Sequence, residues 1–267
     1  MIEGPVWLVG CGNMGGAMLR GWLAHGLDPA SVTVIDPRAE GLPAGVRHLS
    51  AVPPDGEVPV FLMLAVKPQM LDQVTPAVAP IVGQGTLLAS IMAGVETASL
   101  AARFPGAGGI LRIMPNTPAA IGKGVIALRA TNVAPALLAT VEAMMGVLGI
   151  VEWLAEESHF DIVTALSGSG PAFTFRFMEA LAAGSAALGL PADQALRMAR
   201  ATVEGSAMLA MASDETPFAL AEKVASPGGS TREGLNVLDR DDAFSTLIAD
   251  TLSAAHRRNQ ELAAAAR

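Results

Sequence analysis

The sequence predicts an α/β fold: a parallel sheet covered by helices on both faces, followed by an all-helical C-terminal domain. Three observations carry that expectation. Short apolar runs punctuated by Gly and Pro alternate with helical stretches through the first half. A Gly-x-Gly-x-x-Gly lies directly between the first run and the first helical stretch. Beyond about residue 157 the runs cease and helical patterns take over.

The elements follow in order. "PVWLV" at 5–9 is the first strand, and a helical pattern spans 14–25. "VTVI" at 32–35, "PVFLMLAV" at 59–66, "TLLASIM" at 86–92 and "ILRIM" at 110–114 are further strands, each too short for a helix. Continuous apolar runs of this kind fit a parallel sheet buried on both faces. "GVIAL" at 124–128 and "IVEWL" at 150–154 extend the sheet, with a helix over 135–148 between them. The second half predicts helices over 171–188, 191–212, 217–225, 231–238 and 241–265, with Pro171 and Pro191 at first-turn positions. The segment 171–190 is apolar nearly all round: Phe173, Phe177 and Leu181 form one stripe, Phe175, Met178 and Ala182 another. A helix without a wet face is expected to be buried on every side, here against a second subunit. The expected domains are 1–157 and 158–267.

Composition narrows the function. Hydrophobic residues make up 51% and charged ones 16%, an apolar balance for a soluble monomer, so a large self-association surface is expected. The longest uncharged stretch, about 73–95, is broken by Pro and Gly and has no steady helical pattern, which argues against a membrane span. No basic region precedes an apolar run at the N-terminus, and a cytoplasmic protein is expected. One cysteine, Cys11, excludes an internal disulfide or a cysteine metal cluster, and the four histidines have no ligand spacing. A net charge of −8 without a basic cluster argues against nucleic acid as a partner.

"GCGNMG" places Gly10, Gly12 and Gly15 at a strand-to-helix turn. Gly10 allows the tight turn, Gly12 lets backbone approach a pyrophosphate, and Gly15 lets helix and strand pack closely. The helix N-terminus then offers free N–H groups to phosphate. Asp36 ends the second strand, 21 residues after Gly15, where an acid binds the adenosine ribose. This is the fingerprint of a Rossmann dinucleotide site. Lys67, in "AVKPQ", ends the next strand and either faces the cofactor or is a solvated strand end. "MPNTP" at 114–118 ends a later strand at the same sheet edge, with Asn116 and Thr117 as its polar groups. Two helix starts remain. "SGSGP" at 167–171 reads as a cap from Ser169 or Gly170 followed by Pro171. In "SPGGSTRE" at 226–233, Ser230 and Glu233 fit a capping box. That second loop has more glycine and hydroxyl than capping needs, and its free N–H groups suit a small carboxylate. No nucleophile–base pair or paired acids stand out, which leaves hydride chemistry carried by a cofactor.

These motifs, "GCGNMG", "AVKP", "MPNTP", "LSGSGPAF" and "VASPGGST", resemble pyrroline-5-carboxylate reductase in order and spacing, from Val6 to about Leu262. The resemblance implies a Rossmann domain, a helical substrate-binding and dimerisation domain, and a homodimer or ring of dimers. It implies reduction of 1-pyrroline-5-carboxylate to L-proline by NADP(H) or NAD(H), the final step of proline biosynthesis. Cofactor contacts are then implied at Gly10, Gly12, Asn13 and Met14, at Asp36 and Arg38, and along Ala65, Val66, Lys67 and Pro68. Ala93, Gly94 and Asn116 complete them. Ser226 and the N–H groups around Gly228, Gly229, Ser230 and Thr231 would hold the substrate carboxylate. The Thr231 hydroxyl would act at the ring nitrogen. Ser169 and Gly170 would close the neighbouring wall, with the nicotinamide between the domains. The chain departs from many members at Thr216, where they carry His, at Ala221, where they carry a basic residue, and at Val52. Two other readings compete. A hydroxy-acid or related imine reductase of similar build would need, for hydroxy acids, a lysine early in the helical half, and none occurs from His159 to Arg197. A non-enzymatic dinucleotide-binding scaffold leaves "SPGGST" without a purpose.

Overall fold

The computed structural model describes residues 1–53 and 57–265. The chain divides into two compact units, 1–169 with 255–267, and 170–254. The sequence had suggested a boundary at 157/158. The units divide later because residues 158–169 stay with the first one.

The first unit runs β1 (Val6–Val9), α1 (Asn13–Ala24), β2 (Val32–Ile35), β3 (Arg47–Leu49) and β4 (Phe61–Leu64). It continues through α2 (Leu71–Val78), β5 (Leu87–Ser90), α3 (Thr97–Arg103), β6 (Gly109–Met114) and β7 (Gly124–Thr131). Then come α4 (Pro135–Gly146), β8 (Gly149–Trp153) and α5 (His159–Val163). The strands form one sheet in the order β3-β2-β1-β4-β5-β6-β7-β8. Its first six strands have the doubly wound order, in which ligands bind beyond the strand C-termini where the order reverses beside β1.

Every residue of β1, β2, β4 and β5 is buried, as runs without polar alternation require. Alternate residues feed two cores. Val6, Leu8, Phe61 and Met63 pack with Met18, Leu19 and Trp22 of α1 and Met144 and Met145 of α4. Trp7, Val9, Leu62 and Leu64 pack with Leu71 and Val78 of α2, Leu100 of α3 and Phe104. Trp22 meets Phe61 edge-on, with ring centroids 6.1 Å apart.

Two expectations are corrected, and one strand had no expectation. The sheet is not wholly parallel: β7 runs antiparallel to β6, because the nine residues between them hold only a short 3₁₀ turn and cannot make a crossover. β3 has no apolar run and two exposed residues, so its pattern is silent. Residues 71–78 are helical despite Pro76, in a stretch expected to lack helix.

Antiparallel pairing sets Arg112 opposite Arg129. Like charges so placed repel. Glu157 joins them: its carboxylate lies 2.5 Å from Arg112 Nη1 and 3.1 Å from Arg129 Nε. The Thr97 hydroxyl donates to Glu157 Oε2 at 2.8 Å, and Arg112, 3% exposed, stacks 4.1 Å over the Phe160 ring. Burial pushes the Glu157 carboxyl up. Hydrogen bonds from Arg112 and Thr97, with the Arg112 charge, outweigh burial and hold it below the ordinary value.

The second unit holds α6 (Gly170–Ala187), α7 (Ala192–Met211), α8 (Pro217–Val224), α9 (Ser230–Leu238) and the first half of α10 (Ala243–Ala265). Its buried cluster is small: Ala182, Ala195 and Ala199. Helix α6 buries only Ala182, while Phe175 and Phe177 are 62% and 43% exposed. The expected burial on all sides therefore does not occur within one chain. The second half of α10 belongs to the first unit. There Asn259 donates to the Asp161 carbonyl at 3.1 Å and Ala263 lies against Gly94. No helix among the described residues is long and apolar enough to cross a membrane.

Candidate functional site

A cleft of about 550 Å³ opens beyond the C-termini of β1, β2 and β4. It gathers Gly10, Gly12, Asp36, Arg38, Ala65, Val66 and Lys67, all expected from the sequence. Gly10 has φ +90°, and a Cβ there would lie 2.7 Å from the Ala65 carbonyl oxygen, so no side chain fits. At Gly12 a Cβ would meet nothing within 4 Å, which leaves open space over the turn. Gly12 caps α1 without a side-chain bond, so the N–H groups of Asn13, Met14 and Gly15 face the helix entrance without intrahelical acceptors. This cradle of glycine and free donors fits a pyrophosphate.

Asp36 is fixed in place. Its Oδ2 accepts from Cys11 N at 2.8 Å and its Oδ1 from Arg38 N at 2.9 Å, a local turn across Pro37. The acid thus pairs with the backbone of Arg38, not with its guanidinium. His48 Nε2 lies 2.8 Å from the Asp36 carbonyl oxygen. Burial pushes the Cys11 thiol up, the Asp36 charge adds to that, and Arg20 opposes it. The cleft also includes Ser50, Ala51 and Val52 after β3, and Met70, Gln73 and Val74 around α2. Sequence reading missed these because it missed both elements, although Val52 was noted as a departure.

The other expected cofactor residues lie outside that cleft lining. Pro68 opens a short 3₁₀ turn. Gly94 has φ +76°, and a Cβ there would lie 3.1 Å from Ala263 Cα, so the end of α10 covers it. Ala93 sits beside it in the chain. Asn116 is buried, and both ends of its amide meet protein groups. Its Nδ2 donates to the Ser167 carbonyl at 2.9 Å, and its Oδ1 accepts from Val125 N at 2.9 Å.

"SGSGP" does open α6, at Gly170, but as a continuation of a helical path and not from a capped loop. Thr164–Gly168 form a π-turn between α5 and α6, and the path stays helical through Ser169. Ser169 N donates to the Thr164 carbonyl at 3.0 Å.

The "SPGGST" loop is built differently from its sequence reading. Gly229 N donates to the Ser226 carbonyl at 3.0 Å across Pro227 and Gly228, and Gly228 has φ +71°. Pro followed by a positive-φ Gly is the type II turn pattern. A Cβ on Gly229 would lie 2.6 Å from Ser226 Oγ, so only Gly lets that hydroxyl stand there. The helix cap is Gly229, not Ser230, and no side chain caps α9. The expected Ser230–Glu233 box does not form. The N–H of Gly229 is used by the turn, whereas those of Ser230, Thr231 and Arg232 have no intrahelical acceptor. Arg232 turns back to Glu222 at 2.7 Å, and this hydrogen bond holds the Glu222 carboxyl below its ordinary value. Thr216, in the departure from the pattern, caps α8 by accepting from Ala219 N at 3.2 Å.

Comparison with known proteins gives one match in each half of the chain. Residues 157–262 match the family described as pyrroline-5-carboxylate reductase dimerisation. Residues 5–94 match the one described as NADP oxidoreductase coenzyme F420-dependent. A pyrroline-5-carboxylate reductase of Pseudomonas aeruginosa is 34% identical over 261 residues, covering 96% of this chain and 95% of its own length. One from Synechocystis is 41% identical over 217 residues, 79% of each chain. Among solved structures, a pyrroline-5-carboxylate reductase of Coxiella burnetii superposes with a TM-score of 0.89 at 30% identity, covering 98% of this chain and 99% of that one. The Plasmodium falciparum pyrroline carboxylate reductase with NADP bound gives 0.87 at 25% identity, with the same coverage.

Proposed function

The chain belongs to the pyrroline-5-carboxylate reductase family, and from that premise we propose how its own residues perform the reaction. It is an NAD(P)H-dependent oxidoreductase acting on a C=N bond, and it reduces 1-pyrroline-5-carboxylate to L-proline, the final step of proline biosynthesis. When bound, the reduced dinucleotide supplies the hydride. The division of labour is 1–157 for the cofactor and 158–267 for substrate and dimerisation, supported by the family match over 157–262.

In this reading the pyrophosphate takes the N–H groups of Asn13 and Met14 over Gly10 and Gly12. Ala65, Val66, Lys67 and Pro68 line its path, and Ala93 and Gly94 serve through backbone. The substrate carboxylate takes the uncapped N–H groups of Ser230, Thr231 and Arg232, with Ser226 Oγ beside them. The single observation that carries this assignment is the missing cap of α9: a helix start that leaves its donors open, next to a hydroxyl that Gly229 makes room for. The Thr231 hydroxyl, which has no hydrogen bond among the described residues, serves the imine nitrogen. Ser169 and Gly170 contribute a further wall. The reaction is assigned to the cytoplasm, a reading supported by a single Cys11 that cannot form an internal disulfide. Purified protein should oxidise NADPH or NADH on adding pyrroline-5-carboxylate and release proline. No turnover with either cofactor would overturn the assignment.

The cofactor preference turns on the strand end. In this reading Asp36 takes the free ribose hydroxyls of NADH and Arg38 the extra phosphate of NADPH. Asp36→Ser should move the ratio of kcat/KM values toward NADPH and Arg38→Ala toward NADH. Each shift should exceed about twofold, or ~0.4 kcal/mol. If neither variant moves the ratio that far, this strand end does not read the ribose.

The assembly is a homodimer or a ring of dimers. Phe175, Phe177, Met211 and Phe218 stand exposed in the second unit, and an obligate interface is large and core-like. Light scattering at micromolar concentration should give a dimer or a multiple of it. A stable folded monomer of 27.3 kDa would contradict this.

A further inference from the structure

Pro171 creates a gap in the helical path from α5 to α6. It has no N–H to return to the carbonyl four residues earlier, that of Ser167. A buried carbonyl needs a donor from somewhere. Ser167 is buried, and its carbonyl takes that donor from outside the helix, from Asn116 Nδ2 at 2.9 Å. The amide is held from its other end as well, because Val125 N at the start of β7 donates to Oδ1. The two contacts together fix which way the amide points, since the carbonyl must face NH₂ and the N–H must face oxygen. Asn116 occupies the cap position of the 3₁₀ turn Thr117–Ile121, yet it makes no capping bond. Its amide instead ties the end of β6 to the π-turn through one bond and to β7 through the other. Methionine 114 sits on the same seam, with Cε 3.3 Å from where a Gly168 Cβ would stand, which keeps that position small.

A π-turn carries one residue more per bond than an α-turn, so it sets the rotation at which the following residues leave it. Those residues are Ser169 and Gly170. We propose that Asn116 is a positioning residue: it supplies the donor that Pro171 lacks, holds the π-turn Thr164–Gly168, and thereby sets the backbone orientation of Ser169 and Gly170. The inference rests on the assignment of Ser169 and Gly170 to the substrate. The sequence expectation that Asn116 contacts the cofactor is the alternative that the test below distinguishes.

Asn116→Asp keeps the shape and the acceptor for Val125 N but sets an oxygen against the Ser167 carbonyl. Asn116→Leu keeps the volume and removes both bonds, and serves if the Asp variant folds poorly. Three quantities are measured on each: kcat and KM for pyrroline-5-carboxylate, the Kd of NADPH by fluorescence, and amide exchange at Ser169. The expected result is a kcat at least tenfold lower, a Kd for NADPH within twofold of wild type, and exchange at Ser169 at least tenfold faster. A Kd for NADPH weakened tenfold with kcat kept would make Asn116 a cofactor ligand and overturn the proposal. A lower melting temperature with kcat and KM both within twofold would reduce it to a packing residue and overturn it equally. Failure of the wild-type protein to turn over the imine would sink the substrate assignment instead, while unchanged exchange at Ser169 would sink the clamp itself.

Discussion

Thr231→Ala is expected to lower kcat on pyrroline-5-carboxylate roughly 10- to 100-fold, the loss of one positioned hydrogen bond to a charged group at ~1.5–3 kcal/mol. Thr231 is the second residue of α9, exposed, with a hydroxyl that bonds to nothing among the described residues. A surface hydroxyl that caps nothing contributes little to stability, so the variant should unfold at the wild-type denaturant midpoint. The loop keeps its turn, because Ser226 and Gly229 make it through backbone. The N–H group of residue 231 also remains, so KM should rise less than kcat falls. Thr231→Ser should retain most of the activity. An Ala variant that turns over at the wild-type rate would remove Thr231 from the reaction.

Glu157→Gln is expected to cost about 3 kcal/mol of stability, the low end for removing one partner of a buried pair because Glu157 is itself a quarter exposed. Gln can still accept from Thr97, but it leaves Arg112 and Arg129 facing each other without a counter-charge. Denaturant midpoints at fixed protein concentration measure the effect, since an oligomer's stability depends on concentration. The pH dependence is signed. The folded-state carboxyl of Glu157 lies below its ordinary value, so its contribution is complete above the unfolded value near ~4.3 and fades as pH falls through the folded one. Wild type and Glu157→Gln should therefore differ by a constant amount from neutrality to about pH 5 and converge as pH falls further, through the lowered folded-state value. A gap that persists unchanged at lower pH would mean that charge is not what Glu157 provides.

Elements whose local pattern and tertiary role agree were readable from sequence. β2 was placed residue for residue, and β1 to within one, because fully buried strands have no polar interruption. The Gly-rich turn was readable because backbone geometry dictates residue type there, and Asp36 because it follows directly on a strand that was itself readable. What failed had lost its local signal. β3 is an edge strand reading Arg-His-Leu, and it took with it the cleft residues from Ser50 to Val52. Pro76 hid α2 although its neighbours wind on around it. The clearest case is the entry to α6 at "SGSGP": a helix begins there, as Gly and Pro announce, but with no break from the turn before it. Here a side chain 51 residues away in sequence supplies what the proline removes, and no window along the chain can contain that information. The capping box failed for a related reason. Gly229 can adopt the cap conformation without a side chain, which leaves Ser230 inside the helix.

The first unit is interrupted in sequence: the described residues from 255 onward group with those before 170. That gives its assembly an order in time. Ninety residues separate Ser169 from Asn259, whose amide reaches the Asp161 carbonyl, and Ala263 lies later still. At about 5–20 residues per second of synthesis, the sheet waits some 5–18 s between the emergence of Ser169 and that of Asn259. During that interval the ground beside Gly94 has no cover, and the nascent chain is a natural client for a chaperone. Cutting the gene at the apparent domain boundary would make that waiting state permanent.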